Sequence, residues 1–127
     1  MDKTKRLTLE ELIAKKEQRR AAGPAVKEVW VEGLEGCLVL RKIPVARYIS
    51  IMGKYDLEDF AQALACEVEL VYACCPMLQK ESLTQDLAEP TDIVLEILGE
   101  DLEELGRLAA EVSGFYGMAA PADIVKN

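Results

Sequence analysis

The sequence predicts an α+β domain, mainly helical, in which one N-terminal β-hairpin packs on four to five helices. Three observations carry that expectation. Residues 26–42 hold two short runs rich in Val and Leu on either side of a glycine-bounded turn. From Pro44 onward, apolar residues recur at three- and four-residue steps, punctuated by Gly and Pro. Half of the chain is hydrophobic but only 6% aromatic, so its core must be filled mainly by Leu, Val, Ile and Ala. At 127 residues the chain has room for one such core. Residues 1–24 read as a charged helical arm, 25–117 as the hairpin-plus-helices domain, and 118–127 as a C-terminal tail.

The arm begins with Thr8-Leu9-Glu10-Glu11, a capping box in which Thr8 accepts from the third helical amide and Glu11 reaches back. The helix runs to about Ala22, where Gly23-Pro24 stops it. Leu9, Leu12 and Ile13 are its apolar face, and Lys15 to Arg20 are almost all charged. So short a stripe buries little, which predicts an arm that is mobile or docks on a partner.

The hairpin follows, with Gly33-Leu34-Glu35-Gly36 as a four-residue loop. Closing that loop pairs Val31 with Leu38, Trp30 with Val39, Val29 with Leu40 and Glu28 with Arg41. Val29, Val31, Leu38 and Leu40 then share the face that must lie on helices, while Trp30 and Val39 share the other. The two strand edges stay unpaired within the chain and offer a route to self-association.

In the helical remainder, Pro44 opens a helix carrying Val45, Tyr48, Ile49 and Met52 on one face, ending near Gly53. Asp56 is expected to cap the longest helix, about 57–75, with Leu57, Phe60, Leu64, Val68, Val71 and Cys75 inward and Pro76 as its stop. Ser82 starts a short helix closed by Pro90, and Thr91-Asp92 starts another through Leu98. The last helix, about 101–113, places Leu102, Leu105, Leu108, Ala109 and Val112 inward, with Gly114 after its end.

Charge divides the chain. Residues 1–54 carry 12 Lys/Arg against 7 Asp/Glu, whereas residues 55–127 carry 3 against 16, for a net of −8 overall. A basic front and an acidic rear suit oriented docking. A pI near 4.6 argues against nucleic acid as a partner. No apolar run approaches the roughly 20 residues of a membrane span, and no signal-peptide pattern follows Met1, so a cytoplasmic protein is expected.

Chemistry-bearing motifs are missing. The chain has no histidine, so a His-based nucleophile is excluded and a metal site is not expected. Cys37, Cys66, Cys74 and Cys75 lack the spacing of a redox or zinc pair and read as reduced thiols in a packed interior. The glycines form no phosphate-binding loop. The carboxylate clusters Glu58/Asp59, Glu67/Glu69 and Asp101/Glu103/Glu104 suggest solvated helix faces. Glu103 and Arg107 form an i,i+4 pair. The expectation is a non-enzymatic protein with no cofactor. Its candidate partner contacts are Trp30, Val39, Phe115, Tyr116 and Met118, types enriched at interface centres.

Three stretches carry a family likeness: Leu70-Val71-Tyr72-Ala73-Cys74-Cys75-Pro76-Met77-Leu78, then Glu89-Pro90-Thr91-Asp92-Ile93-Val94 with Ile97-Leu98-Gly99-Glu100, and Leu105 through Gly114-Phe115. With the order of elements, they resemble the tail assembly chaperones of long-tailed phages, specifically the XkdN-like group of Gram-positive prophages, over residues 25–117. The resemblance implies a chaperone that binds the tape measure protein, helps recruit the tail tube protein, works in the bacterial cytoplasm and is absent from the mature virion. It also implies a longer frameshifted form, with which Lys126-Asn127 is compatible. A different reading of the charge split is a small acidic cytosolic adaptor or antidote that masks a basic partner protein.

Overall fold

The computed structural model describes residues 3–114. Phe115, Tyr116, Met118 and the tail lie outside the described residues. The elements are α1 (Leu9–Ala22), β1 (Val26–Val31), β2 (Gly36–Arg41), α2 (Val45–Gly53), α3 (Phe60–Cys74), α4 (Glu81–Thr84), α5 (Asp92–Leu98) and α6 (Leu102–Val112). Short 3-10 turns fill the β1–β2 loop, follow α3 at Pro76–Gln79 and join α5 to α6. The predicted class holds: a mainly helical α+β fold with one antiparallel hairpin near the N-terminus.

The α1 helix starts with the expected capping box. Glu11 N donates to Thr8 Oγ1 at 3.1 Å and Thr8 N to Glu11 Oε1 at 3.3 Å. Lys5 also binds the Glu11 carboxylate at 2.8 Å, and this cation, followed by the Thr8 amide, holds the Glu11 carboxyl below its ordinary pKa. Gly23 closes the helix at φ +73°, a conformation that favours glycine. No residue of α1 is buried.

In the hairpin, the register differs from the predicted one by two residues. Val31 pairs with Gly36, Trp30 with Cys37, Val29 with Leu38, Glu28 with Val39 and Val26 with Arg41. The loop is therefore 32–35, one residue earlier than expected. Two things fix it: Glu35 takes the left-handed conformation (φ 51°, ψ 43°), and Gly33 N donates to Asp101 Oδ2 at 3.3 Å. The second contact crosses 68 residues and is invisible to local pattern. A two-residue slip preserves the side-chain faces. Val29, Val31 and Leu40 are buried and Leu38 packs against the core, while Trp30 and Val39 face outward.

Helix α3 is the centre of the molecule. It packs most extensively on α6 and also touches α2, α5 and β2. Its N-cap is Asp59 rather than Asp56: Asp59 Oδ1 accepts from Ala61 N (2.9 Å) and Gln62 N (3.3 Å), and Asp56 instead stabilises the turn before it by accepting from Glu58 N. Phe60 is consequently at the exposed first turn. In α2 the buried residues are Tyr48 and Ile51, with Met52 against the core; Val45 and Ile49 face solvent, contrary to expectation. The apolar residues of α2 run almost all round, so periodicity alone could not choose the face. Ile93, Val94 and Leu98 of α5 and Leu102, Leu105, Leu108 and Ala109 of α6 complete the core. Gly114, at φ +95°, ends α6 as predicted, its amide reaching Glu111 O at 3.0 Å.

Two features lock α6 in place. Ser113 Oγ accepts from Ile43 N at 3.5 Å and lies 3.7 Å from Cys74 Sγ, tying the hairpin exit to α3 and α6. The fully buried Glu67 side chain of α3 lies directly over Gly106 of α6, where no Cβ would fit.

Candidate partner-binding surface

The outer face of the hairpin carries Val26, Glu28, Trp30, Cys37, Val39 and Arg41, as strand alternation requires. Trp30 is 57% exposed, Val39 48% and Val26 63%. The indole is steered rather than loose, since its Nε1 donates to Glu32 Oε2 at 2.8 Å. Beside this face, the 3-10 turn that Pro76 imposes after α3 brings Met77 up to β2, itself 59% exposed. Pro24, Val26, Cys37, Val39 and Met77 then line a shallow groove of about 460 Å³. Trp30 and Val39, singled out from the sequence, sit together on this surface. Met77 and Val26 were missed as site residues. The signal for Met77 was the helix-stopping Pro76, whose turn direction is set only by packing.

Around the groove the charges are ordered. Arg41 stands opposite Val26 at one end of the strands, Glu28 stands opposite Val39 in the middle, and Glu32 and Glu35 lie in the loop, all exposed. A second cleft, of about 500 Å³, lies where α1 meets the body and is lined by Arg19, Arg20 and Lys42. A third groove, of about 220 Å³ between α3 and α5, is lined by Glu69 and Asp92 together with Ala65, Val68 and Leu95.

The clustered carboxylates have structural tasks. Asp59 caps α3, Glu69 binds Lys54, Asp101 fixes the hairpin loop, and Glu104 pairs with Arg107. Arg107 also reaches Glu111 at 3.5 Å. The thiols of Cys66, Cys74 and Cys75 are buried, and burial pushes all three up in pKa, Cys66 to about 11 with further help from Glu69 and Glu67. Such thiols are protonated near neutrality and serve as small packing groups. What the surface offers chemically is apolar contact with an adjacent row of carboxylates. Among the described residues no helix is long and apolar enough to cross a membrane.

Comparison of the chain with models of known protein families, with characterised proteins and with solved structures gives no match.

Proposed function

We propose that the chain is a non-enzymatic tail assembly chaperone that holds apolar helical stretches of a tape measure protein and helps recruit tail tube subunits. The observation that carries this reading is the uncovered apolar surface around Trp30 and Val39, backed by a groove of about 460 Å³. The exposed Trp30 of the hairpin and Met77 of the turn beside it offer contacts to an amphipathic helix. The acidic remainder of the body keeps a coated client dispersed. The resemblance of residues 70–78, 89–100 and 105–115 to tail assembly chaperones suggests the client class.

The test is co-expression with a long helical tape measure protein encoded beside the chain's own gene. The client is expected to be insoluble alone and to co-purify with the chaperone. Trp30→Ser is expected to retain the urea midpoint and lose co-purification. No such neighbouring gene, or full co-purification by the Trp30 variant, overturns the reading. The charge split supports a second reading, an acidic adaptor that masks a basic protein. Its complexes would dissolve as salt rises past the screening range, whereas apolar capture survives 0.5 M salt.

A further inference from the structure

Among the described residues two apolar surfaces stand uncovered, and their charges are arranged to match. The first is on the arm. Leu9, Leu12 and Ile13 share one face of α1 at 74%, 50% and 48% exposure. At about 100° per residue, Lys16 and Arg20 continue that same face, with Arg19 at its border. The α1 face is thus apolar in its first half and cationic in its second. Among the described residues, Lys16, Arg19 and Arg20 form no ion pair.

The second surface is the outer face of the hairpin. It runs from Arg41 and Val26, through Val39 with Glu28 opposite it, then Trp30, to the carboxylates of Glu32 and Glu35 at the loop. Its apolar row, flanked midway by Glu28, ends in the two carboxylates of the loop. The lengths agree: Leu9 to Arg20 spans about 17 Å of helix, and Val26 to Glu32 about 20 Å of strand.

Direction selects the occupant. The arm's own body cannot present this match, because the cationic end of α1 is joined through Gly23-Pro24 to the Val26 end of the hairpin. Folding back would set Arg20 beside Arg41 and Leu9 beside the loop glutamates, reversing every contact. An arm arriving from another copy can run the other way, with Leu9 over Val26 and Arg20 over Glu32.

We propose that α1 of one copy seats on the hairpin face of a second copy, in a reciprocal pair that exchanges arms. The inference does not depend on the chaperone reading; if both hold, arm and client compete for one surface. The pair is reinforced by the long-range attraction between the basic front and acidic rear.

The experiment is sedimentation velocity on the full chain between about 1 and 100 µM. The wild type is expected as a dimer, at twice the 14.1 kDa of the chain. An arm variant, Leu12→Asp with Ile13→Asp, and a hairpin variant, Trp30→Ser with Val39→Ser, are each expected to associate at least tenfold more weakly. Mixing the two restores a heterodimer, because one intact arm again meets one intact hairpin. Lys16→Glu with Arg20→Glu, which touches no buried residue, is expected to weaken the pair about tenfold. A wild type that stays monomeric to 100 µM overturns the proposal. So does undiminished association of the arm or charge variants, or a mixture that remains monomeric while both variants keep wild-type circular dichroism.

Discussion

Replacing Gly106 by alanine probes the closest approach in the core. A Cβ at this position would lie 2.6 Å from Glu67 Cδ and nearer still to its Cγ and Oε1. Glu67 is 0% exposed, so its side chain has no solvent-filled space into which to swing. Either α3 and α6 separate or the carboxylate is displaced, and overpacking of this kind costs about 1–3 kcal/mol. Against it stands the helix propensity of alanine over glycine, about 1 kcal/mol. Contacts this short belong in the upper part of that range, about 2–3 kcal/mol, so the net expectation for Gly106→Ala is a loss of about 1–2 kcal/mol. With a urea m-value of about 2 kcal/mol/M, the midpoint falls by about 0.5–1 M. Placing the same substitution in a Glu67→Ala background removes the clash and leaves only the propensity term. There Gly106→Ala becomes stabilising by about 1 kcal/mol, a coupling of about 2–3 kcal/mol across the cycle. Equilibrium urea unfolding of the four proteins, at constant m, measures this. A neutral or stabilising Gly106→Ala in the Glu67 background, or a coupling near zero, would refute the reasoning.

Other expectations follow from the same contacts. In Ellman titration at pH 8, Cys37 is expected to react in the folded protein and Cys66, Cys74 and Cys75 only on unfolding, as their burial dictates. Alkali is expected to destabilise the fold with a defined sign. The Cys66 thiol ionises near 9.0 in the unfolded chain but near 11 in the folded one, so the unfolded chain loses its proton first. Its contribution is therefore intact below pH 9 and lost between pH 9 and 11, on the order of 2 kcal/mol. Cys66→Ala, followed by urea unfolding against pH, should flatten that decline. Asp59→Ala removes the acceptor for two α3 amides and is expected to lower stability by about 1 kcal/mol. Thr8→Ala, by contrast, is expected to fray α1 in circular dichroism without moving the unfolding midpoint, because α1 buries nothing.

Most of the fold was legible wherever local chemistry decided it. The Thr8 box, the Gly23 stop, the Pro76 break, the α5 span and the Gly114 end all follow from residues within one helical turn of the boundary. The inward face of the hairpin was legible because alternation survives an even register slip. The register itself was not, because Asp101 holds Gly33 from 68 residues away. The same limit explains α2, where burial of Ile51 rather than Ile49 depends on how the helix lies against α3. Of the candidate site, Trp30 and Val39 were readable as a shared outward face. Met77 was not, since nothing near it in sequence says that a turn after α3 will come to rest beside β2. Glu67 was hidden more thoroughly. A glutamate in an apolar helix reads as solvent-facing until the glycine opposite it is placed.

The contacts that anchor the hairpin also set a timetable for synthesis. Val29, Val31 and Leu40 emerge early, yet the surfaces they cover belong largely to α3 and α6, and Ile43 is tied to Ser113, 70 residues later. At translation rates of about 5–20 residues per second, roughly 3–14 s separate the hairpin from the helix that closes over it. Until α6 follows α3, the nascent chain holds an aliphatic sheet face that is only partly covered, so the ribosome-associated stage is when this protein is itself most in need of shelter.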